Sequence, residues 1–182
     1  MLKWLWLSAV VIVFDQLSKY LASIRLELYQ PIEVMPLFNL TLMHNTGAAF
    51  SFLSSAGGWQ RWFFSVIALV VSVVIVAWLK RLRQQERLQA LALALILGGA
   101  LGNVIDRLLR GHVVDFLDFY YIADRCLPLF VPIRNGEAMA CHWPAFNLAD
   151  SAISVGVALL IIESVRSAFQ QKRIVSGNDN YS

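Results

Sequence analysis

The hydrophobic positions of the chain gather in four long stretches, each close to the length of a membrane-spanning helix. A helix needs about 20 apolar residues to cross a hydrocarbon core of about 30 Å. The stretches cover residues 4–22, 62–79, 88–109 and, more briefly, 148–162. This pattern predicts four transmembrane helices.

The first stretch has some features of a secretory signal peptide, because Lys3 precedes an apolar run over residues 4–14. The run continues into Asp15-Gln16-Leu17-Ser18-Lys19, and no small-residue cleavage site stands beside it. A cleaved signal peptide ends at such a site. We therefore expect a retained helix.

Lysine and arginine are distributed unequally between the predicted loops. Residues 80–87 hold four basic side chains, and the chain start and the tail bring the total on that side to eight. The two longer loops, 23–61 and 110–147, hold five basic residues together. Because basic loops stay in the cytoplasm, both termini are expected there, with two long loops outside. Residues 1–175 are expected to form one domain and the polar residues 176–182 a flexible tail.

Composition agrees with a membrane protein. Of the 182 residues, 58% are hydrophobic and 15% are charged. Soluble domains have about 45–50% apolar and about 25% charged residues. An ordinary soluble enzyme and a disordered chain are thus excluded, and the net charge of +3 is weak evidence for nucleic acid. No nucleic-acid partner and no obligate protein partner are predicted.

The two outer loops have different characters. Residues 37–52 contain two β-like runs around Asn45-Thr46-Gly47, which predicts a small β-hairpin against the helices or at the membrane interface. The second loop holds Cys126 and Cys141, which can form a disulfide in an oxidising compartment. The predicted fold is an all-α multi-span membrane protein with this β element on the extracytoplasmic face.

Polar residues inside predicted spans are candidates for function, because an ionisable group in a membrane must be paired or hydrated. Asp15 and Lys19 share one helical face, where they could also be a self-neutralising pair. Asn103, Asp106 and Arg107 follow a Gly98–Gly102 spacing that permits close helix packing. Their spacing predicts that all three project from one face, as active groups or as the polar end of a packing seam.

A third group joins Asp115 with Asn147 and Asp150. Asn147 and Asp150 could simply cap the last helix, and Asp115 could be one of several loop acids. Two carboxylates that meet at a membrane face can instead share a proton, one acting as base toward water and the other as acid. Such a pair hydrolyses amides without a cofactor.

Other catalytic patterns are missing from the sequence. The three His and two Cys residues lack the spacing of a zinc site, and no nucleophile elbow, P-loop or dinucleotide fingerprint is found. We therefore predict neither a metal nor a cofactor.

Five segments, in order along the chain, resemble the successive motifs of the signal peptidase II (lipoprotein signal peptidase) family. They are Asp15-Gln16-Leu17-Ser18-Lys19, Asn45-Thr46-Gly47-Ala48-Ala49-Phe50-Ser51-Phe52, residues 98–107, Val113-Val114-Asp115-Phe116 and Phe146-Asn147-Leu148-Ala149-Asp150-Ser151. One such motif is weak evidence, but five in order on a four-span profile are specific.

The resemblance implies a bacterial intramembrane aspartyl peptidase of the inner membrane, with its active site toward the outer face. Its substrates would be prolipoproteins with a diacylglyceryl-modified Cys, cut just before that Cys amid membrane lipids. By motif, Asp115 and Asp150 would be the catalytic pair. The resemblance also implies active-site positions at Asn45, Asn103, Arg107 and Asn147, and supporting positions at Asp15 and Lys19.

One departure and one competing interpretation remain. The acids at 115 and 150 are farther apart than is usual in the family, and residues 126–143 look like an insertion. The competing function is a small transporter or channel subunit, with Asp15, Asp106 and Arg107 lining an ion path.

Overall fold

The computed structural model describes residues 1–47, 58–135 and 138–178, and it contains the four predicted helices. All four are long and apolar enough to cross a membrane, the last of them over Leu148–Phe169. The helices are α1 (Leu5–Arg25, after a 3₁₀ turn at Leu2–Trp4), α2 (Gln60–Arg81), α3 (Arg87–Arg110) and α4 (Leu148–Asn178).

Helix α4 continues to Asn178, so residues 176–178 of the predicted tail are helical, while residues 179–182 lie outside the described part. The division into a domain over 1–175 and a flexible tail stays a prediction. At the other end of the bundle, α3 stops at Gly111, whose φ of 80° is one that glycine adopts without strain.

Helix α3 is the centre of the bundle. In its most apolar segment 61% of the residues are buried, against 22% or less in the other helices. A Cβ on Gly98 would lie 2.7 Å from the Val11 Cβ, and one on Gly102 would lie 2.6 Å from the Asp15 carboxylate. The missing side chains thus let α1 approach α3 closely, which confirms the packing role predicted for this spacing.

The β structure is larger than predicted. It is one five-stranded antiparallel sheet in the order β1-β2-β3-β5-β4, so the fold is not purely all-α. The strands are β1 (Pro31–Met35), β2 (Phe38–Asn45), β3 (Val113–Ile122), β4 (Val131–Asn135) and β5 (Ala138–His142).

The structure confirms the first strand of the predicted hairpin over 37–52. Strand β2 matches the first run and pairs with β1 before it and with β3 from the distant second loop. The second run, at 48–52, lies outside the described residues. Long-range pairing of this kind leaves no local pattern in the sequence, which explains why the sheet was underestimated.

The sheet is fixed to the helices and to the second loop. A small core of Ala22, Leu42, Val114 and Phe116 joins α1 to strands β2 and β3. In the second loop, Cys126 and Cys141 form a disulfide, with Cα atoms 5.4 Å apart. This confirms the predicted pairing, and it ties the chain before β4 to β5.

Candidate active site

Asp115 and Asp150 reach one place from two different elements. Asp115 is the third residue of β3, and Asp150 lies in the first turn of α4. Asn147, immediately before α4, contacts both: its Nδ2 donates to Asp115 Oδ1 at 2.7 Å, and its Oδ1 accepts from the Asp150 backbone N–H at 3.0 Å. The sequence hypothesis of a carboxylate pair is therefore consistent with the geometry.

The capping interpretation is also correct. The backbone N–H of Asn147 donates to Asp150 Oδ2 at 3.3 Å, which completes a reciprocal cap at the start of α4. A carboxylate there is stabilised by the helix dipole. The same two residues thus both start the helix and supply one side of the site.

Asp115 is held between two amides. Asn45, the last residue of β2, donates from Nδ2 to Asp115 Oδ2 at 3.0 Å, opposite the bond from Asn147. Asp115 is buried, with only 3% of its surface exposed. Burial and the nearby charge of Asp150 raise the pKa of Asp115 to about 7, although the two amides and Lys19 lower it in part. The carboxyl group is thus partly protonated near neutral pH.

Asn103 of α3 plays the matching role for Asp150. Its Nδ2 donates to Asp150 Oδ1 at 2.8 Å. Its Oδ1 accepts from Lys19 Nζ at 2.8 Å and from Asn147 Nδ2 at 3.3 Å. Asn103 therefore connects the carboxylate pair to the charges buried behind it.

Those charges form a closed network centred on Lys19. Its ammonium group contacts Asp15 Oδ2 at 2.9 Å and Asp106 Oδ2 at 3.0 Å, in addition to Asn103. Lys19, Asp15 and Asp106 are fully buried. Since an ammonium group has three N–H donors, each one has an acceptor here.

The two acids of this network hold the backbone beside the candidate pair. Asp15 Oδ1 accepts from the Ala149 N–H at 2.9 Å, one residue before Asp150. Asp106 Oδ2 accepts from the Val114 N–H at 3.1 Å, one residue before Asp115. The predicted supporting positions at Asp15 and Lys19 therefore have a physical basis.

The structure corrects part of the expectation that three polar residues of α3 share one face. Asn103 and Arg107 line the same cavity, whereas Asp106 contacts Lys19, as Asn103 also does, and pairs with Arg110. At about 100° per residue, position 106 lies about 100° from position 107 but only about 60° from position 103. The sequence analysis also missed Gln16, whose Nε2 donates at 3.1 Å to Asp106 Oδ1 and to the Gly102 carbonyl. Its position beside Asp15 was the available signal.

Arg107 lies at the edge of the site. It donates to the Gly47 carbonyl at 3.3 Å, and its guanidinium lies 5.8 Å from the centre of the Phe64 ring. Its Nε is buried and has no hydrogen-bond partner in the part of the chain that the structure describes. A buried donor in this state is suited to receive a ligand.

The candidate site opens into a cavity of about 580 Å³. Its polar side is formed by the four residues Asn45, Asn103, Asp115 and Asp150 together with Arg107. The rest of the lining is largely apolar and includes Trp143, Pro144, Ala145, Phe146, Ile153 and Val155. A peptide with apolar side chains would fit this division.

Two histidines lie next to the site without adding positive charge to it. The rings of His44 and His112 stack with centroids 3.8 Å apart, beside Asn45 and Val113. Burial lowers the pKa of each imidazole, and for His112 its neighbour His44 lowers it further. The pair is therefore mainly neutral at pH 7.

Fold and site together define a class of protein: a helical membrane protein with a polar site of paired carboxylates at one end of its bundle. Comparison with known proteins makes the class specific. The family model described as signal peptidase (SPase) II matches residues 7–166. The chain belongs to the signal peptidase II family, whose members are bacterial membrane-embedded proteases.

Individual relatives agree. The lipoprotein signal peptidase of Alteromonas mediterranea is 53% identical over 166 residues, which cover 91% of this chain and 82% of that one. The lipoprotein signal peptidase of Pseudomonas aeruginosa is 50% identical, covering 91% and 89%. A bacterial membrane enzyme solved by the in meso method is 30% identical, with a TM-score of 0.73, covering 92% of this chain and 90% of that one. This membership displaces the transporter interpretation.

Proposed function

We propose that this protein is an aspartic endopeptidase that removes signal peptides from diacylglyceryl-modified prolipoproteins, cutting just before the lipidated Cys. Family membership supports the substrate class. The observation that carries the chemistry is the joint hold of Asn147 on Asp115 and Asp150 at the cavity wall. It brings a β-strand acid and a helix acid to one reaction space.

In the proposed first step, the ionised carboxylate of the pair takes a proton from water as the water oxygen attacks the scissile carbonyl carbon. The protonated carboxyl gives its proton to the carbonyl oxygen, which yields a neutral gem-diol. The pKa of Asp115, raised to about 7 by burial and by the charge of Asp150, lets the pair hold one proton near neutral pH. We assign that proton to Asp115 and the role of base to Asp150.

The second step reverses the proton transfers. A carboxylate takes a proton from one hydroxyl of the gem-diol while the carboxyl formed in the first step protonates the amide nitrogen. The C–N bond then breaks and releases an amine and a carboxylic acid. The dyad supplies both acid and base, so no metal is required and a chelator should leave the rate unchanged.

Arg107 and the amides act as binding groups in this mechanism. The Nε of Arg107, which has no partner among the described residues, is proposed to donate to a substrate carbonyl beside the cleaved bond. Asn45 donates to Asp115 and Asn103 donates to Asp150, and each bond fixes the orientation of its carboxylate. The apolar walls of the cavity would receive the side chains of the signal peptide.

The proposed location is the inner membrane, with both termini in the cytoplasm and the site at the outer face. The helix ends agree with this arrangement: Asp150 starts α4 and Arg107 is in the last turn of α3, so the site lies at one end of the bundle. At the other end lie Lys80 and Arg81, in the last turn of α2, and Arg83, in the link to α3. A lipid-anchored Cys would hold the scissile bond near the membrane surface.

The direct test is to incubate the purified protein with a diacylglyceryl-modified prolipoprotein and with the same precursor lacking the lipid. Mass spectrometry should show loss of the signal peptide from the lipidated precursor only, with the modified Cys as the new N-terminus. Asp115→Asn and Asp150→Asn are the inactive controls. Cleavage of the unlipidated precursor at the same rate, or at another bond, would contradict the proposal.

A further inference from the structure

The second loop brings an aromatic residue to the cavity. Residues 126–143, which look like an insertion in the sequence, form strands β4 and β5 and end at Trp143. Trp143 lines the same cavity as Asp115 and Asp150. The segment of β4 and β5 therefore contributes a side chain to the wall of the candidate site.

The backbone around Trp143 is fixed at both ends. The Trp143 N–H donates to the Phe119 carbonyl of β3 at 2.7 Å. Three residues on, the Phe146 N–H donates to the Leu117 carbonyl at 3.1 Å, immediately before Asn147. Residues 143–146 thus run antiparallel beside β3 and lead directly into the cap of α4.

A chain of aromatic contacts supports the Trp143 ring from the hairpin side. Phe130 meets it edge-on with centroids 5.3 Å apart, and Tyr121 of β3 meets Phe130 in the same way at 4.9 Å. The Tyr121 hydroxyl accepts from the Leu127 N–H at 2.7 Å, next to Cys126. Edge-to-face pairs of this kind stabilise a structure beyond the effect of their buried area.

The disulfide closes this arrangement. Cys141 is buried, pairs in register with Tyr121, and is bonded to Cys126. Next to it, His142 contacts the buried carboxylate of Asp118 at 2.8 Å. The segment that carries Phe130 is therefore fixed before this residue by the disulfide at Cys126 and after it by the pairing of β4 with β5.

We infer that Trp143 is a substrate-binding residue whose ring packs against the apolar signal-peptide segment next to the cleaved bond, and that Phe130 and the Cys126–Cys141 disulfide position it. This inference rests on the proposed function. An aromatic side chain that is rigidly supported loses little conformational freedom on binding, so it contributes to affinity for the substrate. It has no proton to transfer, so the chemical step does not depend on it.

The test is steady-state cleavage of the lipidated precursor by the full-length protein. Trp143→Ala should raise KM about tenfold and change kcat by less than about twofold, since buried aromatic anchors carry about 1.4 kcal/mol or more. Trp143→Phe should recover most of the loss. Trp6→Ala, at a residue 61% exposed on α1, is the matched control and should behave as wild type.

The positioning role is tested by a double-mutant cycle. Phe130→Ala and the double variant Cys126→Ser/Cys141→Ser should each raise KM about threefold, and Phe130→Tyr should restore it. In a Trp143→Ala background, Phe130→Ala should add nothing. A further loss there would show that Phe130 acts on general stability, and it would overturn the positioning role. Mass spectrometry of alkylated, non-reduced wild type should show no free thiols.

Binding separates this inference from the proposed function. In the Asp115→Asn background, Trp143→Ala should weaken binding of the lipidated precursor about tenfold. Binding without any cleavage by wild type would overturn the proposed chemistry and leave the role of Trp143 intact. Normal cleavage with an unchanged KM in Trp143→Ala would overturn the inference alone. If the precursor is neither bound nor cut by wild type, both are wrong.

Discussion

Lys19 Nζ lies 2.8 Å from Asn103 Oδ1, and this contact determines which way the Asn103 amide faces. An ammonium group can only donate, so the amide oxygen must turn toward it. The Asn103 Nδ2 is then directed to Asp150 Oδ1, 2.8 Å away. A residue in α1 that does not line the cavity therefore sets the hydrogen bond to one of the two candidate catalytic acids.

Replacing Lys19 should lower the stability of the folded protein, because two buried carboxylates lose the cation that they share. Lys19→Met leaves Asp15 and Asp106 buried with less compensation, and losing one partner of a buried ion pair costs about 3–5 kcal/mol. Adding Asp15→Asn removes one of the uncompensated charges, so the double variant should be more stable than Lys19→Met. Thermal unfolding in detergent measures both, and Lys3→Met is the exposed control. Equal stability of single and double variants would contradict this account.

Asn147 has two roles that different substitutions separate. Asn147→Ser keeps an oxygen for the cap of α4 but loses the bond to Asp115, whereas Asn147→Ala loses both. The Ala variant should be about 1 kcal/mol less stable than the Ser variant. Both should move the pH–rate profile to higher pH, because the lost donor had lowered the pKa of Asp115. If the pH–rate profile did not shift in either variant, the pH dependence of the rate would not be due to Asp115.

Asp115 should make the protein less stable as pH rises. Its folded pKa of about 7 exceeds the ordinary value of 3.8, so the native state binds the extra proton between those values. The free energy of unfolding should therefore fall by about 4 kcal/mol from pH 4 to pH 8 through this group. Asp115→Asn removes that dependence, and its Tm relative to wild type should be higher at pH 8 than at pH 5.

The control for this titration is Asp124→Asn, which changes an exposed carboxylate in the loop after β3. It should leave the slope of Tm against pH as in wild type. Asparagine at 115 cannot accept both hydrogen bonds from Asn45 and Asn147. Because that loss is the same at every pH, the slope of Tm against pH is the quantity to compare. A slope unchanged by Asp115→Asn would show that the carboxyl is ionised throughout.

Much of the helical architecture could be predicted because it depends on residues that are close together in the sequence. The apolar stretches at 4–22 and 62–79 became α1 and α2 with ends shifted by a few residues. The prediction that Asp115 and Asp150 act together came from the motif resemblance, since the cap spacing of Asn147 and Asp150 by itself favours a structural cap. Local sequence determines helix length and capping directly.

What could not be predicted depends on contacts between distant segments. Strand β3 pairs with β2 and β5, and no short-range sequence pattern predicts either partner. The separation of Asp106 from Arg107 follows from the way α3 packs on α1, and the spacing alone does not predict it. Trp143 reaches the cavity only because the hairpin before it folds back on β3.

The orientation of the bundle gives a separate prediction. Reporter fusions after Gln85 and after Lys172 should give cytoplasmic signals, and an insertion near Gly136 should give an extracytoplasmic one. Changing Lys80, Arg81 and Arg83 to Gln should weaken this preference, because the positive loop fixes it. A cytoplasmic signal at 136 would place the candidate site on the wrong side of the membrane for a lipidated, exported substrate.

The carboxylate pair itself gives the most direct prediction. Asp115→Asn and Asp150→Asn should each abolish cleavage, because neither amide can take up or release the shared proton. The double variant should be little worse than either single one, since residues that act as a unit are not additive. If Asp150 served only as a cap, Asp150→Asn would lose about 1 kcal/mol or less of stability and keep its turnover. Single-turnover assays on folded, membrane-inserted variants distinguish these outcomes, and near-normal turnover by either single variant would exclude the dyad even though the four-helix architecture stands.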